Sequence, residues 1–157
     1  MRIYFANALF TIAEQTFNAQ LAEKIRAIDP SIELYLPQEN QEINDKSLYA
    51  DSKMIAKGDT EQLVKSDLVV AILDGVILDP GVAAEIGVAY GKGIPIIGLY
   101  SDSRQEGASN KQKVEALNDV AENQFFYLNL YVVGLIKLNG SIVATEADLT
   151  RKIAEKI

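Results

Sequence analysis

The chain has 157 residues, 22 of them acidic and 15 basic, a net charge of −7, and neither cysteine nor histidine. That length suits one domain over 1–157 around a single core, and the lack of any Lys or Arg run argues against nucleic acid as a partner. Without Cys and His, disulfides, thiolate nucleophiles, zinc-thiolate sites and every Ser-His-Asp or Cys-His mechanism are excluded, so any chemistry must run on Asp, Glu, Tyr, Lys or hydroxyls.

The opening Met1-Arg2-Ile3-Tyr4-Phe5 goes straight into a strand pattern, lacking the basic region, apolar run and cleavage site of a signal peptide, and makes the cytoplasm the expected location. A first strand is expected over 3–6. Next, Ala13, Phe17, Leu21, Ile25 and Ile28 recur at helical spacing, with Glu14, Glu23, Lys24 and Arg26 between them. That periodicity predicts an amphipathic helix over 11–28, ended by Asp29-Pro30. A second strand follows over 32–36, a helix over 52–65 and a third strand over 68–73. Asp79-Pro80 marks the next helix start, since Pro suits the first helical position and the preceding Asp can cap it. The fourth strand is expected over 95–100, a polar loop over 105–110, a helix over 111–122, an apolar helix over 125–136, a short strand over 141–144 and a closing helix over 146–156. Strands alternating with helices predict an α/β fold: a three-layer sandwich with a five-stranded parallel sheet, flavodoxin/Rossmann-like, in strand order 2-1-3-4-5.

In such sheets ligands sit beyond the carboxyl ends of the strands, where strand order reverses. The loops to search are therefore Asn7 to Phe10, Pro37 to Gln41 and Asp74 to Asp79. Neither GxGxxG nor a P-loop lysine occurs in them, so no dinucleotide or ATP cofactor is expected.

From Leu68 to Gly91 every charged side chain is acidic: Asp74, Asp79 and Glu85. Glu85 is the one charge inside an otherwise apolar helix, between Val82, Val88 and Ala89 at 100° per residue, with no wet face. Burying a lone carboxylate costs several kcal/mol, roughly, unless it is paired. Either a backbone group or Lys92 satisfies it, or it is there for chemistry. Asp79 reads equally as a helix cap and as a functional group, and Asp74-Gly75 as a turn. Asp59 falls four residues from both Ile55 and Leu63, on the apolar face of its helix, either bridging to a helix end or a buried tyrosine or serving the site. Tyr4 reads as a core residue whose hydroxyl needs a partner.

Several carboxylates with a tyrosine and no histidine suit cleavage of a glycosidic bond, whose transition state develops positive charge. The same carboxylates could hold Mg²⁺, but no ligand spacing is recognisable, and no metal is expected. The uncharged segment 125–136 is too short to span a bilayer, so no membrane partner is expected. It is apolar on every side, more than one sheet face can cover, which predicts burial against a second subunit. Its only strongly polar side chain, Asn129, is either satisfied locally or reaches a neighbour's site.

Taken in order, Ile3-Tyr4-Phe5-Ala6, Leu36-Pro37-Gln38-Glu39-Asn40-Gln41, Asp59, Asp79-x-Gly81-x-x-x-Glu85-x-Gly87 and Asn129-Leu130 make a set. With it, the chain resembles the nucleoside 2-deoxyribosyltransferase family along essentially its whole length. The resemblance implies a covalent mechanism in which Glu85 forms a deoxyribosyl ester and a second base accepts the sugar. It further implies that Tyr4 orients Glu85, that Asp59 and Asp79 contact substrate and help protonate the departing base, and that Gln41 helps hold the base. Asn7, Phe10 and Gly81 are counted with the substrate-binding positions, and Asn129 would reach the sugar's 5′ end in an adjacent subunit of a homo-oligomer. The expected ligands are deoxynucleosides and free nucleobases.

A related branch hydrolyses 2′-deoxynucleoside 5′-monophosphates with the same glutamate, and tends to carry a small hydroxyl residue six positions before it. Here that position is Asp79, which disfavours a phosphate. A non-catalytic nucleoside-binding module on the same fold is a third reading, against which the joint presence of Glu85, Tyr4, Asp59 and Asp79 counts.

Overall fold

In a computed structural model, which describes residues 1–41 and 49–157, five parallel strands form one sheet. In chain order the elements are β1 (Arg2–Ala6), α1 (Ile12–Arg26), β2 (Glu33–Tyr35), a 3-10 turn (Pro37–Glu39), α2 (Ser52–Val64), β3 (Leu68–Ile72), α3 (Pro80–Gly91) and β4 (Ile96–Leu99). A second 3-10 turn (Ser103–Gln105), α4 (Lys111–Glu115) with a 3-10 extension (Ala116–Asn118), α5 (Leu130–Leu138), β5 (Gly140–Val143) and α6 (Glu146–Ala154) complete it. The sheet order is β2-β1-β3-β4-β5, as expected for a flavodoxin-like sheet, so strand order reverses between β1 and β3.

Alternation along the buried strands splits the core into two layers. Ile3, Phe5, Val70 and Ile97 pack with Leu21 and Ile25 of α1 and Leu149 and Ile153 of α6. Tyr4, Ala6, Val69 and Ala71 face the other way, onto Leu63 of α2, Val82 and Ile86 of α3 and Leu135 and Ile136 of α5. Gly140 is required where β5 meets β4: a Cβ there would lie 1.8 Å from Ile96 O. Helix starts follow local chemistry. Thr11 and Glu14 form a capping box on α1, Asp51, Asp79 and Asn129 cap α2, α3 and α5, and Thr145 caps α6. Each cap stabilises its helix by about 1 kcal/mol.

Two expected helices are shorter or shifted. The one expected over 111–122 ends as a helix at Glu115 and tightens to a 3-10 turn through Asn118. Val114 and Leu117 are 43% exposed and Val120 is 97% exposed. With no apolar face packed, so short a helix has little to hold it. The apolar helix expected over 125–136 begins only at Leu130 and runs to Leu138. The residues before it are held by other contacts: Tyr100 Oη donates to Phe126 O at 3.2 Å, Arg104 lies 4.0 Å from the Phe126 ring centroid, and Lys113 lies over Phe125. α5 buries Leu135 and Ile136 but leaves Leu130, Tyr131 and Leu138 largely exposed. Among the described residues, no helix is long and apolar enough to cross a membrane.

Candidate active site

Tyr4 is in the middle of β1, wholly buried, and its side falls toward α3. Its hydroxyl donates to Glu85 Oε1 at 2.6 Å. On α3, Val82, Ile86 and Ala89 form the buried stripe, and Glu85 flanks it, half-buried, on the wall of a cavity of about 520 Å³. The expectation that Glu85 has no wet face is thereby corrected: α3 starts at the carboxyl edge of the sheet, where the loops after β1 and β2 stand off and leave a cleft instead of packing. Its partner is a tyrosine, not Lys92 or the backbone.

Burial pushes the Glu85 carboxyl up to about 7 from its ordinary 4.5, partly offset by the Tyr4 hydrogen bond and reinforced by the negative charges of Asp59 and Asp79. Burial also raises the Tyr4 hydroxyl far above the usual phenol range, as does the neighbouring Glu85. Tyr4 therefore stays protonated and serves as a donor to the carboxylate.

Asp59, on α2, lines the same cavity, and Tyr35 Oη donates to its Oδ1 at 3.3 Å. Burial lifts the Asp59 carboxyl above the ordinary range, and the tyrosine bond moderates the rise. Tyr35 stands opposite Tyr4 in the β1–β2 register, the two rings stacked with centroids 5.5 Å apart and planes at 24°. Asn40 Nδ2 donates to Tyr35 Oη at 3.0 Å. The two tyrosines thus carry one carboxylate each, from adjacent strands.

Asp79 both caps α3, accepting from Val82 N at 3.1 Å, and lines the cavity, so the two readings left open in its sequence coexist. Gly81 lines it too, and a Cβ at that position would come within 2.8 Å of Asp79 Oδ1, pushing the carboxylate aside. Asn7, Phe10, Gln15 and Gln38 complete the polar and aromatic lining with Leu9, Pro37 and Ile55. Among the described residues, no lysine or arginine lines it. Among the described residues, no cluster of three or more His, Cys, Asp and Glu is placed to hold a metal ion.

Three sequence candidates lie elsewhere. Asp74 is taken up by Ser101, whose N and Oγ both donate to it at 2.7 Å, and Gly75 takes the positive φ of a turn. Gln41 is exposed and does not line the cavity, and its neighbours 42–48 lie outside the described residues. Asn129 is exposed; its Oδ1 accepts from Tyr131 N at 2.9 Å and Val132 N at 3.4 Å, and it lies outside this chain's cavity.

The model of the nucleoside 2-deoxyribosyltransferase family matches residues 3–120, a span holding β1 through α4 and every residue that lines the cavity. The chain belongs to the nucleoside 2-deoxyribosyltransferase family. Among solved structures, a conserved protein from Enterococcus faecalis V583 is 62% identical, with a TM-score of 0.96 over 99% of this chain and 98% of that one. The 2-deoxyribosyltransferase of Bacillus psychrosaccharolyticus shares the fold at 17% identity and a TM-score of 0.66, over 96% of this chain and 90% of its own. A CMP N-glycosidase from Clostridium botulinum shares it at 19% identity and a TM-score of 0.52, with both chains covered in full. Among curated proteins, none matches the chain in sequence. Enzymes of this family act on N-glycosidic bonds.

The residues that sequence reasoning passed over are Tyr35, Gln38 and Asn18. Tyr35 was detectable as a second tyrosine on the strand paired with β1. Asn18 was detectable as the polar member of the α1 stripe it shares with Leu21, Ala22 and Ile25.

Proposed function

We propose that the protein is a nucleoside 2-deoxyribosyltransferase that works in the cytoplasm, in nucleotide salvage, without cofactor or metal. It cleaves the N-glycosidic bond of a 2′-deoxynucleoside and moves the sugar to a second base. The observation that carries this reading is the Tyr4–Glu85 hydrogen bond on the wall of a cavity that holds two further carboxylates.

Tyr4 occupies Oε1 of Glu85, which leaves Oε2 to attack C1′ of the sugar. As the new C–O bond forms, the C1′–N bond breaks and its electron pair goes to the base nitrogen. Asp59, suited to hold a proton by its raised carboxyl, assists protonation of that base, and Asp79 contacts the sugar toward its 5′ end. The ester is resolved when a nitrogen of the second base attacks C1′ and displaces the carboxylate. Asn7, Phe10 and Gly81 bind substrate, the Asn7 and Gln38 amides and the Phe10 ring holding the base.

A second copy of the chain covers Leu130, Tyr131 and Leu138 in a homo-oligomer, and Asn129 reaches the neighbour's cavity. Its Oδ1 is used in capping, which leaves the Nδ2 donors for the sugar's 5′ oxygen. Leu130→Glu should yield a monomer by light scattering and lower turnover with it; a wild type that is monomeric at working concentration contradicts the shared site.

Hydrolysis of the same bond, with water as acceptor, is the second reading. It is favoured by Phe10, which is 77% exposed at the mouth and leaves the cavity of the single chain open to solvent. Deoxyinosine with adenine, and separately a deoxynucleoside monophosphate in water, distinguish the readings. Base exchange without free sugar is expected; hydrolysis of the monophosphate alone overturns transfer, and saturable binding without turnover indicates a binding module. The pH dependence is a further check. Only ionised Glu85 can attack, so kcat/KM should rise about tenfold per pH unit below a limb near 7 and level off above it. A limb near pH 4.5 would contradict the assignment.

A further inference from the structure

Asn18 is 1% exposed, on the buried face of α1 between the loops that follow β1 and β2. It does not line the cavity, yet it bonds to three residues that do. Its hydrogen bonds can be oriented without ambiguity because both ends are fixed by backbone. Ala8 N–H can only donate, so the Asn7 atom that meets it at 2.9 Å is Oδ1. Asn7 Nδ2 then donates at 2.7 Å to Asn18, which must accept through Oδ1. Asn18 Nδ2 is left to donate to Ala8 O and to Gln38 Oε1, both at 3.0 Å. Gln38 Nε2 in turn donates to Gln15 O at 3.1 Å, an atom that can only accept. Turning any of the three carboxamides over would set like groups against each other at both of its ends.

We propose that Asn18 determines base specificity through its neighbours, by fixing which hydrogen-bonding groups Asn7 and Gln38 offer to the base. This rests on the reading above that the amide end of the cavity holds the base. Each of the two lining amides keeps one N–H and one lone pair after its structural bonds are made. A carboxamide free to turn would exchange donor for acceptor, and 6-oxopurines and 6-aminopurines present opposite groups at the same edge. The locked chain therefore holds the cavity to one pattern. A buried unsatisfied polar atom is costly, which is why discrimination of this kind exceeds what shape alone supplies.

The test compares kcat/KM for deoxyinosine and deoxyadenosine in the wild type, Asn18→Asp and Asn18→Ser, with thermal melts as a control for folding. Asp at this position sets an oxygen against both Ala8 O and Gln38 Oε1, and turns Gln38 over or expels it. Ser removes both bonds without adding a charge, and decides the matter if the Asp variant does not fold. The ratio of the two substrates should change by about fivefold or more, while the limb near pH 7 that reports Glu85 stays in place. A ratio within about twofold of wild type in the folded variants overturns the role of Asn18. A wild type that neither cleaves nor binds these nucleosides overturns the functional reading and this one with it, so the two failures are distinguishable.

Discussion

Glu85→Gln is expected to abolish turnover, by about a thousandfold or more, while making the protein more stable than wild type at pH 8. The loss follows from removing the attacking carboxylate; an amide is not a nucleophile here. The fold should survive, because the Gln oxygen can still accept from Tyr4. The stability gain follows from the raised carboxyl. An acid whose folded pKa lies above its unfolded one binds more protons when folded between the two values, so raising the pH from 4.5 through 7 removes stability. Above pH 7 wild type carries the whole penalty, up to about 3 kcal/mol for the shift from 4.5 to about 7, and the Gln variant carries none. Below pH 4.5 the carboxyl is protonated in both states, and the two proteins should melt alike. Urea titrations at pH 4.5 and pH 8 read the difference. Turnover within tenfold of wild type would remove the nucleophile, and a gain that is equal at both pH values would remove the electrostatic explanation.

Asp79→Ser should widen the substrate range toward 5′-monophosphates. A carboxylate about 4 Å from a phosphate costs on the order of 4 kcal/mol per charge pair at an effective dielectric near 20. Screening and rearrangement reduce this, so the kcat/KM ratio of deoxynucleoside monophosphate to nucleoside is expected to rise about 10–100-fold, and more at low salt than at high. Serine ranks with aspartate as a helix cap, so the Val82 N–H keeps an acceptor and α3 keeps its start. Removing the Asp79 charge also takes away one of the influences that raise Glu85, and the acidic limb of the rate profile should move to lower pH. An unchanged ratio at both salt concentrations would mean that Asp79 does not face the 5′ end.

Much of the site was legible because its signals are local. Asp79-Pro80 marks the start of α3 by capping and ring geometry alone, and the helical spacing of Ile55, Asp59 and Leu63 places Asp59 on the cavity side of α2. The parallel sheet covered on both faces, too, follows from the alternation of buried strands and helices. What the sequence concealed depends on contacts between distant segments. Whether Val114, Leu117 and Val120 anchor a helix depends on a surface to receive them, and the described residues leave all three exposed. The delay of α5 to Leu130 depends on Tyr100 and Arg104, more than twenty residues earlier. Tyr35 acquires meaning only from a register that sets it beside Tyr4.

The cavity holds Asp59, Asp79 and Glu85, with no cation among the described residues that line it. The negative charges of Asp59 and Asp79 add to burial in strengthening the hold of Glu85 on a proton. Burial raises the Asp59 carboxyl as well, so two acids that line one chamber favour holding a proton. On the reading proposed above, that pair supplies both the attacking carboxylate and the acid for the departing base from a single chamber, without histidine.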